Sequence, residues 1–137
     1  MPRELQGHKV NPANDKLAVE VLDEPGHGGA CHRYRIIDLD SRARATAEPP
    51  DSGNWTPATV YTDIYFQNGP IAEVGVNGVT HEALIAIVID RLECFQRGDY
   101  ASKFNADALE HLKMAQMRLR ARTRERMERG VEGTHEK

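Results

Sequence analysis

Apolar residues in the second half of the chain recur every three to four positions, which is the spacing of one face of an α-helix. The first such stretch runs from Leu84 to Phe95. It follows Thr80, a residue type that caps helices, and it precedes Gly98, a residue type that interrupts them. The pattern therefore predicts a helix of roughly 15 residues.

A second helical pattern begins at Asn105 and continues to about Glu128. Asn105 is a favourable N-cap, and Phe104 and Leu109 occupy the positions of a hydrophobic staple around it. Gly130 stands where a glycine commonly ends a helix. Because the join between the two helices is short, the sequence predicts an antiparallel helical hairpin.

The first half of the chain contains short runs of β-branched and aromatic residues bounded by glycine, proline and asparagine. Such runs predict strands, and they occupy residues 17–24, 30–40, 56–66 and 71–76. A turn at 67–70 separates the last two, so we expect a β-hairpin over 59–76. The polar residues 41–55, which include two adjacent prolines, are predicted to be a linker.

Together these patterns predict an α+β fold, with a small N-terminal antiparallel β-sheet domain followed by a C-terminal antiparallel α-helical hairpin. The expected segments are a variable polar arm at 1–16, the β domain at 17–78 and the hairpin at 79–137. Neither a lone helical hairpin nor a sheet of two hairpins buries its apolar face by itself. We therefore expect a homo-oligomer, most simply a two-fold dimer formed through the hairpins.

Composition narrows the class of protein. The 137 residues include 39% apolar and 28% charged side chains, and the formal net charge is −3, as in a soluble globular protein. No apolar run approaches the roughly 20 residues that cross a bilayer, so no membrane association is expected. The first residues lack an apolar signal region, which favours the cytoplasm.

Positive charge is concentrated in one stretch. Residues 118–129 contain six arginines, and their local balance of +4 leaves −7 for the rest of the chain. Four of them share one helical face: Arg118, Arg122, Arg126 and Arg129. Arginines here can offset the helix dipole and pair with nearby glutamates. The lack of lysine in this stretch favours a second role, the bidentate binding of a compact anion such as a phosphate.

Two residues at the other end of the predicted hairpin can also contact a ligand. Phe95 continues the apolar stripe and so fits the core, but at the helix end its ring can also stack on a purine. Asn105 is a helix cap by position, and it lies at the same end as Phe95. One chain cannot easily bring this end to Arg122 and Arg126. An antiparallel dimer can, because one hairpin tip then lies beside the other chain's arginines.

The glycine-rich loop at 26–34 contains His27, Cys31 and His32. Their spacing matches no common zinc pattern and no second cluster completes a ligand set, so no metal is expected. A phosphate-binding role for the glycines is more plausible, although the Walker and dinucleotide fingerprints are missing. Cys31 lacks a recognisable base partner beyond His32. The sequence therefore predicts neither an enzyme nor a bound cofactor.

Three longer stretches carry a more specific signal: IYFQNGPIAEVGVNGVTHEALIAIVIDRLECFQRG, FNADALEHL and RTRERMERGVEGTH. Together they resemble the Thoeris anti-defence proteins of the first type, a phage family whose helical hairpin is shared with the second anti-CBASS protein. The resemblance covers residues 64–135 densely. Upstream, GHGGACHRYRI looks like the glycine-rich stretch of that family's N-terminal β-domain. Residues 1–16 and the long linker at 41–55 depart from the family's usual pattern.

The resemblance implies a sponge that acts in the host bacterial cytoplasm. Such a sponge binds glycocyclic ADP-ribose, the signal made by bacterial TIR-domain sensors, and holds it without cleaving it. By the same resemblance, Phe95 would stack on the adenine and Asn105 would hydrogen-bond the ligand. Arg122 and Arg126 would bind its phosphates and riboses.

His32 and Arg33, in the loop of the β domain, would close the pocket by the same resemblance. Some relatives are dimers, and others are hexamers that also trap cyclic di- or trinucleotides. A homodimer, a homohexamer and a cyclic-oligonucleotide ligand are therefore all open alternatives. DNA or RNA binding through the arginine helix is a third hypothesis, which the net charge of −3 disfavours.

Overall fold

The computed structural model describes residues 3–136. The chain forms two compact units, Met1–Asn68 and Gly69–Lys137, the first built on a sheet and the second on two long helices. The predicted α+β class is therefore confirmed. The predicted β domain reached residue 78, whereas residues 69–78 belong to the second unit. In the described part of the chain, no helix is both long and apolar enough to cross a membrane.

The first unit contains a four-stranded antiparallel sheet with the order β1-β2-β3-β4. Its strands are β1 (Arg3–Leu5), β2 (Leu17–Val21), β3 (Arg33–Asp38) and β4 (Val60–Tyr65). The last three lie inside predicted runs and confirm them. β1 lies in the segment that was expected to be a variable arm. It forms because its residues pair with β2, with Glu4 opposite Glu20.

Two α-helices of the first unit were not predicted. α1 (Pro12–Asp15) is a single turn in the expected arm, and α2 (Leu39–Ala47) covers residues 41–47 of the expected linker. The linker prediction is therefore wrong for that part. Asp38 caps α2 by accepting a hydrogen bond from the Ser41 N–H at 3.1 Å. The buried Ser41 hydroxyl accepts a hydrogen bond from the Thr59 N–H at 2.7 Å, which ties α2 to the start of β4.

The core of the first unit is small. Its buried apolar side chains are Ala18, Val21 and Ile37. Beside them, Arg42 of α2 bridges two carboxylates of the sheet, since its Nη1 lies 2.6 Å from Glu4 and 3.1 Å from Glu20. Because these glutamates face each other across β1 and β2, the arginine offsets a repulsion that would otherwise oppose strand pairing.

The second unit begins with a single helical turn, α3 (Ile71–Val74), where a strand was predicted. The predictions of a strand at 71–76 and of a β-hairpin over 59–76 are therefore wrong. β4 pairs with β3 instead. Pro70 precedes the turn with a fixed φ suited to helix initiation. Gly75 ends it at φ 75°, with its N–H donating to the Ile71 carbonyl at 2.8 Å.

The predicted helical hairpin is confirmed and consists of α4 (His81–Gln96) and α5 (Lys103–Glu128). Thr80 caps α4 as expected, accepting a hydrogen bond from the Ala83 N–H at 3.2 Å. Between the helices, the Gln116 side chain donates to the Glu82 carbonyl at 2.9 Å.

The start of α5 differs from the prediction. Ser102 is the N-cap, and its hydroxyl accepts a hydrogen bond from the Asn105 N–H at 3.1 Å. Asn105 therefore lies within the first turn. The prediction of a hydrophobic staple is also wrong, because Phe104 is 87% exposed and does not pack on Leu109. Gly130 follows α5 with φ 73°, as expected for a glycine that ends a helix.

The hairpin leaves much apolar surface exposed. No residue of α4 is buried, and the only buried residue of α5 is an arginine. Large apolar side chains that remain exposed on the two helices include Ile87, Val88, Met114 and Met117. A surface of this kind marks an interaction site rather than a free solvent face.

Candidate functional site

One end of the hairpin carries an open groove of about 610 Å³, formed by the last turns of α4 and the loop that follows. Its walls include Ile87, Arg91, Phe95 and Tyr100. The Arg91 guanidinium lies 5.0 Å from the centroid of the Phe95 ring. Tyr100 meets that ring edge-on, with the centroids 6.4 Å apart. The groove thus combines aromatic surface with a cation, which suits a planar aromatic ligand group.

Polar contacts fix the loop beside this groove. The Gln96 side chain accepts a hydrogen bond from the Ser102 N–H at 3.0 Å and donates to the Ser102 carbonyl at 3.1 Å. The half-buried Asn105 donates from Nδ2 to the Tyr100 carbonyl at 3.3 Å. Phe95 and Asn105 therefore lie at the same end of the hairpin, and both contact Tyr100.

The other end of α5 presents several arginines to solvent. Arg118, Arg122 and Arg124 are exposed, and their side chains form no ion pair or hydrogen bond with any residue between 3 and 136. Arg129 is exposed too, but it pairs with Glu125 one turn earlier. Arg122 is therefore an available cation on the face that the sequence analysis selected.

Arg126 shares that face but is only 8% exposed. Its Nε donates to the Glu132 carboxylate at 2.9 Å, and its Nη2 donates to the carbonyls of Val131 at 3.0 Å and Thr134 at 3.3 Å. Nη1 donates to the Glu136 carbonyl. In this structure Arg126 therefore binds the polypeptide that follows α5, and its donors do not face solvent.

The two ends of the hairpin are far apart within one chain. A helix rises about 1.5 Å per residue, so Asn105 and Arg122 lie about 25 Å apart along the axis of α5. Phe95 lies at the Asn105 end because α4 and α5 are antiparallel. A small-molecule ligand cannot contact both ends of the same hairpin.

His32 and Arg33 lie in the first unit, where the glycine-rich loop enters β3. The Asp23 carboxylate accepts hydrogen bonds from the backbone N–H groups of His32 at 2.9 Å and Arg33 at 3.1 Å. Burial raises the pKa of the Asp23 carboxyl, but these backbone donors and the nearby imidazole together lower it below its ordinary value. Asp23 therefore fixes the loop as a carboxylate.

The side chains of His32 and Arg33 point to different environments. The His32 imidazole is buried, and its Nδ1 lies 3.9 Å from Asp23 without a hydrogen-bond partner in the described structure. Arg33 is exposed, with its guanidinium 5.3 Å from the centroid of the Tyr65 ring. Among residues 3–136, no group of three or more histidine, cysteine, aspartate or glutamate side chains could hold a metal ion.

The hairpin and the strand before it match a known family. Residues 58–124 fit the family model described as Acb2/Tad1, hairpin domain. Residues 58–124 are therefore similar to an Acb2/Tad1 hairpin domain. The match includes Phe95, Asn105 and Arg122, and it ends before Arg126.

A phage protein shares the sequence of this region. The chain is 53% identical over 74 residues to a protein of Bacillus phage SBSphiJ7 named Thoeris anti-defense 1. The aligned part covers 54% of this chain and 52% of the phage protein, so the chain spans about half the length of that relative. Together with the Acb2/Tad1 hairpin match, this confirms the family resemblance recognised in the sequence.

Sequence reasoning missed three residues of the candidate site. Arg91 and Tyr100 flank Phe95 in the helical hairpin, and Glu132 neutralises Arg126. The spacing of four residues between Arg91 and Phe95 places both on one helix face, so this pair could have been found. The other two contacts depend on how loops reverse the chain, which periodicity does not report.

Proposed function

We propose that this chain is a phage anti-defence sponge that binds glycocyclic ADP-ribose and keeps it from the host effector without degrading it. The observation that carries the proposal is the 53% identity to the phage protein named Thoeris anti-defense 1, in a chain whose residues 58–124 are similar to an Acb2/Tad1 hairpin domain. On this proposal the protein acts in the host bacterial cytoplasm, where such a signal is made.

The active form is proposed to be a homo-oligomer. The exposed apolar residues of α4 and α5 require a covering surface, and a second hairpin offers a matching one. In an antiparallel arrangement, the groove that contains Phe95 on one protomer lies beside the exposed Arg122 of its partner. Such an arrangement resolves the separation of about 25 Å within one chain.

Each site residue has a proposed role. Phe95 stacks on the adenine, and Arg91 and Tyr100 hold the phenyl ring of Phe95 in place. Asn105 hydrogen-bonds the ligand from the same end. Arg122 binds a phosphate with its planar guanidinium, a geometry that lysine lacks.

The residues outside the hairpin family match have supporting roles in the proposal. Arg126 joins Arg122 at the phosphates and riboses. His32 and Arg33 are kept as proposed ligand-site residues of the first unit. The Arg33 side chain is exposed there, and the His32 imidazole, buried beside Asp23, supports the loop that carries Arg33.

Energetics favour an enclosed site. Sequestration of a signal that acts at nanomolar to micromolar levels requires about −10 to −12 kcal/mol. Two arginine contacts contribute about 1.5–3 kcal/mol each, and base stacking contributes about 1–3 kcal/mol. A ligand of roughly 35 heavy atoms at about −0.3 kcal/mol per atom reaches about −10 kcal/mol, provided most of its surface is buried. A groove open on one side cannot provide that burial, whereas a pocket between two chains can.

Calorimetric titration with glycocyclic ADP-ribose tests the proposal. We expect tight, saturable binding, and we expect heat denaturation of the complex to return the ligand with its mass and retention time unchanged. A cleaved product would instead identify an enzyme, and a flat titration would exclude this ligand. ADP-ribose, which carries the same phosphates without the closed ring, is the matched control ligand.

A second candidate function is a sponge for cyclic di- or trinucleotides, alone or at additional sites. This candidate is kept because the matching family model is described by two protein names, Acb2 and Tad1, which share the hairpin domain. Native mass spectrometry separates the candidates. A hexamer that retains a cyclic trinucleotide would support the second candidate, and a dimer that retains only glycocyclic ADP-ribose would support the first.

A further inference from the structure

The segment that follows α5, residues 131–136, folds back and encloses the guanidinium of Arg126. The reversal begins at Gly130, after which the Val131 N–H donates to the Arg126 carbonyl at 3.0 Å. The main chain and the side chain of Arg126 therefore both hold this segment, which we call the strap. A buried arginine stays charged, so it needs an anion beside it.

Glu132 supplies that anion. Its carboxylate lies 2.9 Å from the Arg126 Nε, yet its side chain remains 36% exposed. The other acceptors around Arg126 are backbone carbonyls, which carry no net charge. The charge balance of Arg126 therefore depends on one carboxylate that solvent, or a competing anion, can reach.

One of the neighbouring arginines is available to bind such an anion. Arg122 lies one turn before Arg126 and has no counter-ion among residues 3–136. Arg129 is neutralised by Glu125 on its own helix. A phosphate bound by Arg122 would lie within one helical turn of Arg126, and like the Glu132 carboxylate it would accept hydrogen bonds from a guanidinium.

We propose that Glu132 is an internal substitute for the ligand phosphate, and that ligand binding displaces the strap from Arg126. This inference rests on the proposed function, because it concerns the regulation of the same site. Without ligand, Glu132 keeps the buried guanidinium paired and the strap closed. When a phosphate takes over that pairing, the carboxylate is released to solvent.

Release of the strap reaches the start of the second unit. The Ala72 N–H of α3 donates to the Gly133 carbonyl at 3.0 Å, and His135 pairs with Glu73 at 2.9 Å. Both contacts join α3 to the strap. Displacing the strap therefore loosens α3, so binding at the arginines becomes measurable at a second place in the chain.

The substitution Glu132→Gln tests the competition. Glutamine keeps an oxygen that accepts the Arg126 hydrogen bond but removes the charge, so the fold is retained while the phosphate substitute is weakened. We expect the Kd for glycocyclic ADP-ribose to fall about threefold to tenfold, because less of the protein is held in the closed form. The control Glu128→Gln removes the same charge from an exposed residue at the same end of α5, and its Kd should change less than twofold.

Hydrogen exchange provides an independent readout. In the wild type, saturation with the ligand should speed exchange at the amides of Thr134 and Ala72, which are hydrogen-bonded within or to the strap. Unchanged or slower exchange on binding would overturn the proposal. So would a Glu132→Gln affinity equal to or weaker than that of the wild type, or an equal gain in the Glu128→Gln control. Absence of any wild-type binding would instead defeat the proposed function itself.

Discussion

The Arg91 guanidinium lies 5.0 Å over the ring of Phe95, one turn later on α4. With Tyr100 against its edge, the phenyl ring is held in one orientation before a ligand arrives. A flat ligand group that enters the groove therefore loses less free energy to ordering the protein. This arrangement makes Phe95 the residue on which the proposed stacking contact depends.

Replacing Phe95 by leucine should weaken ligand binding with little effect on folding. Leucine keeps an apolar side chain on α4 but removes the aromatic face, and loss of one base-stacking contact costs about 1–3 kcal/mol. We expect the Kd from calorimetric titration to rise about fivefold to 150-fold. Phe104→Leu, at the same end of the hairpin but 87% exposed, is the control and should bind like the wild type. Equal losses in both variants would contradict the stacking role.

Arg122→Lys should reduce affinity even though the charge is kept. Lysine cannot donate two parallel hydrogen bonds to one phosphate, so most of the charge-assisted contribution of about 1.5–3 kcal/mol is lost. The matched control is Arg124→Lys, since Arg124 is also exposed but lies on a different face of α5. Titration of both variants decides the point: if Arg122→Lys binds as tightly as the wild type, the guanidinium geometry is not used.

Arg126→Met should destabilise the second unit. Methionine keeps an apolar stem, but four acceptors lose the Arg126 donor: the Glu132 carboxylate and the carbonyls of Val131, Thr134 and Glu136. The Val131 carbonyl keeps a second donor, the Thr134 N–H. A buried polar group left without a partner costs about 1–3 kcal/mol. Urea unfolding followed by far-UV circular dichroism should show an earlier transition of the helical signal. Arg129→Met removes an exposed pair with Glu125 and should cost under about 1 kcal/mol. A reversed ranking of the two variants would show that the strap contributes little to stability.

The parts of the fold that could be predicted are those in which the apolar pattern repeats over many residues and the capping residues are local. The hairpin follows from apolar spacing together with Thr80 and Gly130, all of which act within a few residues of the chain. α3 was mistaken for a strand because four residues are too few to show a period. There the flanking Pro70 and Gly75 decide the conformation.

Other elements depend on partners distant in sequence. β1 has three residues and exists through its pairing with β2. α2 lacks an apolar stripe, and the residue it buries is Ser41, which bonds to Thr59. Periodicity likewise treats Arg122 and Arg126 alike, although the reversal of the chain after Gly130 leaves one exposed and buries the other.

The loop that carries His32 and Arg33 should lose stability in acid through Asp23. Because the folded-state pKa of Asp23 is lower than the unfolded value, its contribution is fully present above about pH 4 and is lost as the pH falls through the folded value. Asp23→Asn should therefore be less stable than the wild type at neutral pH, and the difference should shrink as the pH falls from about 5 to about 3. Urea unfolding of both proteins across that range measures the difference directly. Glu24→Gln, at the exposed neighbouring carboxylate, should show no such convergence. A gap between wild type and Asp23→Asn that stays constant with pH would mean that the carboxylate charge does not hold the loop.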